Sequence, residues 1–123
     1  MKDITKYLNQ NKSLSFNQLL FSYIDRSGLT DAEVYKKVYI DRKLFSKIRC
    51  DENYIPKKNN IIKLGIALSL NKTELSLLLN SAGYSLSTTN NFDLIISFCV
   101  ENGIYDIDVI NDYLYNFGGT VLN

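Results

Sequence analysis

The sequence predicts an all-α fold, on three observations. Its 123 residues hold a single proline, Pro56, and six glycines, so few positions interrupt a helix. Apolar residues recur at helical spacing, as in Phe16, Leu19, Leu20, Tyr23 and Ile24 at i, i+3, i+4, i+7 and i+8. Thr30 with Glu33, and Asn71 with Glu74, are capping boxes, in which each side chain satisfies the other residue's backbone N–H at a helix start.

The elements follow in order. Residues 1–14 are polar and basic and read as a frayed end or short helix, with a phosphate-gripping arm as the alternative. The stripe from Phe16 predicts a helix over 15–27 that Gly28 stops. The Thr30 box, stapled by Leu29 and Val34, opens a helix to about residue 38. Asp41 can cap the next, which turns Leu44, Phe45 and Ile48 inward and Arg42, Lys43, Ser46, Lys47 and Arg49 outward. After a turn-rich connection over 50–55, Pro56 fixes the start of a helix whose Ile61, Ile62, Leu64, Ile66, Ala67 and Leu68 face the core. The Asn71 box, with Leu70 and Leu75 as its staple, opens a fifth helix that runs to Gly83. A polar linker over 85–91 ends in a cap near Thr89. Two further helices follow, over 92–102 and from 106, the second ended by Gly118 and Gly119. The first of these two is apolar almost all round and needs cover on more than one side.

The helices at 30–38 and 41–49 are joined by so short a connection that they must cross steeply, which is the sequence form of a helix-turn-helix. The order Thr-x-x-Glu, Lys36-Lys37, Ile40, the run IDRKLFSKIR, Pro56 and then Ile66-Ala67-Leu68 resembles the lambda-repressor/Cro type of DNA-binding domain over about residues 15–84. The wording IDRKLFSKIR and the later ENGIYDI also resemble a bacterial variant found beside ADP-ribose-binding macro domains, or alone, which implies a regulatory role and no known reaction. The resemblance implies a five-helix lambda-repressor-like helix-turn-helix unit at 15–84; the residues of 85–123 themselves predict an acidic, apolar two-helix hairpin packed on it in one globular unit. At three positions the sequence departs from the family pattern. Asp31 replaces the Gln that usually grips a phosphate and steadies the recognition helix, and an anion there would repel phosphate. Tyr35 stands where a small Ala lets the helices approach, so the ring either spreads them or rotates outward. Tyr39 replaces the turn Gly, so the turn is expected to pass without a residue at φ > 0.

Length, charge and composition bound the function. A chain of this size buries a core without metal or disulfides. Its 46% hydrophobic and 22% charged residues are those of an ordinary globule. No apolar run reaches the length of a membrane span, and the N-terminus lacks a signal peptide's apolar core, so the expectation is a cytoplasmic protein without a membrane partner. Cys50 and Cys99 lack CxxC spacing and histidine is absent, which leaves too few ligands for zinc. Cys99, in LIISFCV, reads as a core filler. With no histidine base, no GxSxG turn and no Gly-rich phosphate loop, no enzyme activity, catalytic residue or cofactor is expected. Asp106 and Asp108 are a close carboxylate pair, but at a helix start they more simply complement its dipole. The formal net charge of +1 divides unevenly: +2 over residues 1–14, +4 over 15–84, and −5 over 85–123, which contain no Lys or Arg.

These features predict a sequence-specific DNA-binding transcriptional regulator, acting on double-stranded DNA as a homo-oligomer. Arg42, Lys43, Ser46 and Lys47 would meet base edges in the major groove. Lys36, Lys37, Arg49, Lys57 and Lys58 would meet phosphates, the last two beside a helix N-terminus that favours anions. Phe92, Ile96, Val100, Tyr113, Leu114 and Phe117 of the C-terminal hairpin would form the oligomer interface, with a purely intramolecular lid as the alternative. The competing reading is a protein-interaction module, an inhibitor, adaptor or assembly subunit that keeps the helix-turn-helix scaffold to hold a protein partner.

Overall fold

The centre of the molecule is a helix with almost no exposed side. In the computed structural model, which describes residues 2–122, every residue from Ile61 to Ala67 is buried. Around this helix the described residues form eight α-helices, a closing π-helical turn and no strand. They are α1 (Ile4–Asn11), α2 (Phe16–Ser27), α3 (Asp31–Lys37), α4 (Arg42–Cys50), the central α5 (Lys58–Ala67), α6 (Lys72–Ser81), α7 (Asn91–Glu101), α8 (Ile107–Tyr113) and the π turn (Leu114–Gly118).

Local chemistry sets the starts. Both expected capping boxes form: Thr30 Oγ1 accepts from the Glu33 N–H at 3.1 Å, and Asn71 Oδ1 from the Glu74 N–H at 2.9 Å. A third, Ser15 with Gln18, obeys the same Ser-x-x-Gln rule and starts α2. Asp41 caps α4 as expected. The cap of α7 is Asn90 rather than Thr89, whose hydroxyl is engaged with Ser87. Pro56 is buried one residue before the Lys57 cap position, so it ends the preceding connection instead of occupying the first helical turn. Residues 4–11 take the short-helix alternative, capped by Asp3, but α1 buries nothing.

Two turns contain a residue at positive φ without being glycine, Tyr39 at 58° and Ser69 at 53°. The expectation for Tyr39 was the opposite. The Ile40 N–H reaches back to the Tyr35 carbonyl at 2.9 Å, and closing that loop requires left-handed backbone at position 39. Tyr35 lies half-buried between α3 and α4, its ring centroid 5.4 Å from that of Phe45, so it fills the crossing rather than rotating away.

Helices α3 and α6 pack on α5, and α2 packs on α6. Gly65 lets α5 and α6 pack closely: a Cβ there would lie 2.5 Å from Leu75 Cδ1, and Leu75 is itself fully buried. Gly65→Ala should therefore destabilise the fold, since overpacking of about 1–3 kcal/mol outweighs the roughly 1 kcal/mol of helix propensity that Ala gains. Urea denaturation with an unchanged m-value checks this.

One buried cluster runs from Phe16 to Leu122, so the C-terminal helices share the core of the preceding ones. Helix α7 contributes Ile96, Cys99 and Val100, and α8 contributes Ile107 and Ile110. Polar links add to this. The Tyr105 hydroxyl donates to the Leu70 carbonyl at 2.7 Å, Lys72 pairs with Glu101, and Lys58 Nζ donates to both Asp93 oxygens at 3.0 and 2.8 Å.

Candidate nucleic-acid interface

Helix α4 divides as its sequence requires. Phe45 and Ile48 are buried and Leu44 half-buried, while Arg42, Lys43, Ser46, Lys47 and Arg49 are exposed. Three ties hold its orientation. The Asn17 side-chain amide, on α2, donates to the Ile48 carbonyl at 3.0 Å. The Phe45 ring meets Phe21 and Tyr35. Arg49 grips Asp31 with two parallel bonds, Nε to Oδ2 at 3.0 Å and an Nη to Oδ1 at 2.6 Å, and its guanidinium stacks 3.7 Å from the Phe21 ring centroid.

This geometry changes three expected roles. Arg49, expected on a phosphate, is committed to Asp31 and links the end of α4 to the start of α3. Asp31, expected to repel phosphate, is thereby neutralised and steadies α4. Lys58, also expected on a phosphate, is committed to Asp93, a carboxylate only 2% exposed. Burial by itself would raise the Asp93 pKa. The Lys58 ammonium, the Ser87 N–H and the Asn90 amide together outweigh burial and hold the carboxyl below its ordinary value.

The remaining expected contacts are exposed. Arg42, Lys43 and Lys47 form no ion pair among the described residues, nor do Lys36, Lys37 and Lys57. Lys47 Nζ lies 4.5 Å from the Tyr54 ring centroid, a cation–π contact that restrains it beside the 50–55 connection. Asp41, Arg42, Lys43 and Ser46 line one open depression. The acidic C-terminal segment reaches only the flank of this surface: the Tyr39 hydroxyl donates to Asp108 Oδ2 at 3.1 Å, and Lys37, Asp106 and Asp108 line a neighbouring depression.

The expected oligomer surface needs correction. Ile96, Val100 and Leu114 are buried inside the chain and cannot meet a second molecule. Phe92 and Tyr113 are half-buried, and Phe117 is 68% exposed. The exposed apolar side chains of α7 are Leu94 and Phe98, and the rings of Phe98, Tyr113 and Phe117 follow one another at centroid distances of 5.9 and 6.4 Å. A helix apolar all round carries no phase in its sequence, so the neighbouring helices decided which side faces out. Nor does the sequence pattern mark Lys63 of α5 as buried. It is 5% exposed, and burial lowers its pKa.

Cys50 is exposed and Cys99 buried, its thiol pKa raised by burial. No cluster of three metal-ligating side chains occurs among the described residues, and no helix there is long and apolar enough to cross a membrane. Comparison with protein-family models, curated proteins and solved structures finds no match.

Proposed function

We propose that the chain is a DNA-binding regulator in which α2 to α6 form a lambda-repressor-like helix-turn-helix unit and α4 is its recognition helix. One observation carries the proposal: Arg42, Lys43 and Lys47 stand exposed and without ion pairs on a helix whose other face is locked in the core. In this reading Arg42, Lys43, Ser46 and Lys47 meet base edges, and Lys36, Lys37 and Lys57 meet phosphates. Arg49 and Lys58 act within the protein, as supports for α4 and α7. The exposed Leu94, Phe98 and Phe117 supply a surface for self-association, which suits a regulator that binds paired half-sites.

Salt tests the reading. Fluorescence anisotropy with a random duplex should show affinity falling steeply with ionic strength. For about four neutralised phosphates the logarithmic slope is about −3.6, a loss of roughly 10²-fold between 50 and 200 mM. Duplex binding absent at 50 mM would refute it and leave the second reading, a protein-interaction module. The observation that favours that alternative is the same apolar surface on α7 and the π turn, whose protein contacts would respond weakly to salt.

A further inference from the structure

A carboxylate that holds a surface cation also cancels it, as Asp31 does for Arg49 and Asp93 for Lys58. An aromatic face holds a cation and leaves its charge intact. Lys47 is held in the second way: its Nζ lies 4.5 Å from the Tyr54 ring centroid, and it forms no ion pair among the described residues. We propose that Tyr54 is a positioning residue for duplex recognition, its ring fixing the Lys47 ammonium on the DNA-facing side of α4; this rests on the DNA-binding reading.

The ring is placed by the last turn of the helix it serves. The Asp51 N–H donates to the Lys47 carbonyl at 3.0 Å, and the Asp51 carbonyl accepts from the Tyr54 N–H at 3.0 Å. Asp51 Oδ1 accepts from the Asn53 N–H at 3.0 Å, which closes the turn between them. Buried Pro56 anchors the chain just beyond, and the half-buried Tyr54 packs against the core cluster. Lys47 is exposed, so the ring is the fixed partner and the ammonium is the one directed.

Direction matters because a lysine side chain loses much rotamer freedom when it binds. The ring removes part of that loss before DNA arrives, and the ammonium keeps the N–H donors that face away from the ring. Among the described residues, Lys47 is the one base-facing cation of the proposed set with such a contact; the other two cation–π pairs involve Arg26 and Arg49.

The test is a double-mutant cycle on the full chain, read by fluorescence anisotropy at 50 mM salt with a duplex selected from a random pool and with a random duplex. Tyr54→Leu should weaken binding to the selected duplex by about 2- to 5-fold, the worth of an exposed cation–π contact, and leave the random duplex unaffected. Tyr54→Phe, which keeps the ring, should bind as the unaltered chain does. In a Lys47→Ala background Tyr54→Leu should have no further effect, which also shows that the variant is folded. A loss that persists in that background means that Tyr54 acts by holding the 50–55 connection, and overturns the proposal. So does an equal loss in Tyr54→Phe, unchanged binding by Tyr54→Leu, or tighter binding by it, which would mean that the ring holds Lys47 back. A loss on both duplexes that vanishes in the Lys47→Ala background upholds the role of Tyr54 and moves Lys47 to the DNA backbone. In NMR spectra of the free protein, the ring should shift the Lys47 side-chain protons upfield in the unaltered chain and in Tyr54→Phe, but not in Tyr54→Leu. Absence of that shift overturns this proposal alone, whereas absence of duplex binding by the unaltered chain overturns the DNA-binding reading with it.

Discussion

Replacing Arg42, Lys43 and Lys47 together with alanine should reduce duplex affinity by more than about 10²-fold while leaving the fold intact. A base-contacting cation contributes about 1–3 kcal/mol, so three removed at once cost at least about 3 kcal/mol. The fold should tolerate the change because all three side chains are exposed, none forms an ion pair among the described residues, and Ala is the best helix former. Only the Lys47 contact with the Tyr54 ring is lost within the protein. Anisotropy on a selected duplex and on a random one separates the roles. If Arg42→Ala alone weakens the selected duplex more than the random one, Arg42 reads a base; equal losses make it a backbone contact. Unchanged affinity in the triple variant would remove α4 as the recognition helix.

Asp93→Ala should be the most destabilising single loss of a polar group, at about 2–4 kcal/mol near neutral pH. Its carboxylate is almost fully buried, accepts from Lys58 twice and from the Ser87 N–H at 2.7 Å, and joins the linker, α5 and α7 at one point. Removing it leaves a partly buried ammonium without its counter-ion and an N–H without its acceptor. Because the folded-state pKa lies below the ordinary carboxyl value, this stabilisation is present above the unfolded pKa of about 3.9 and is lost as pH falls through the lower folded value. The gap between wild type and Asp93→Ala in urea denaturation should therefore narrow on acidification below about pH 4. A gap independent of pH down to 2 would mean that the packing of α7, and not the charge, was being measured.

The helices were legible wherever local chemistry sufficed. Capping boxes at Thr30 and Asn71, the Asp41 cap and the stop at Gly28 depend on residues no more than four apart, and all four appear in the structure. The outward face of α4 was legible for the same reason: three inward apolar residues at helical spacing leave one orientation. The phase of α7 was not, because Leu94, Ile95, Ile96, Phe98, Cys99 and Val100 surround it, and packing on α6, α8 and the π turn selects Ile96, Cys99 and Val100 for burial. Nor were the partners of Asp31, Lys58 and Tyr39. Their counterparts Arg49, Asp93 and Asp108 lie 18, 35 and 69 residues away in the chain.

By itself, then, the sequence determined that the chain is helical, where most helices start and which side of α4 is cationic, because each follows from interactions within one or two turns. Tertiary structure alone decided which cations stay exposed without a carboxylate partner and which apolar residues remain outside. An ion pair, like a buried face, requires two surfaces, and the second one comes from a distant part of the chain.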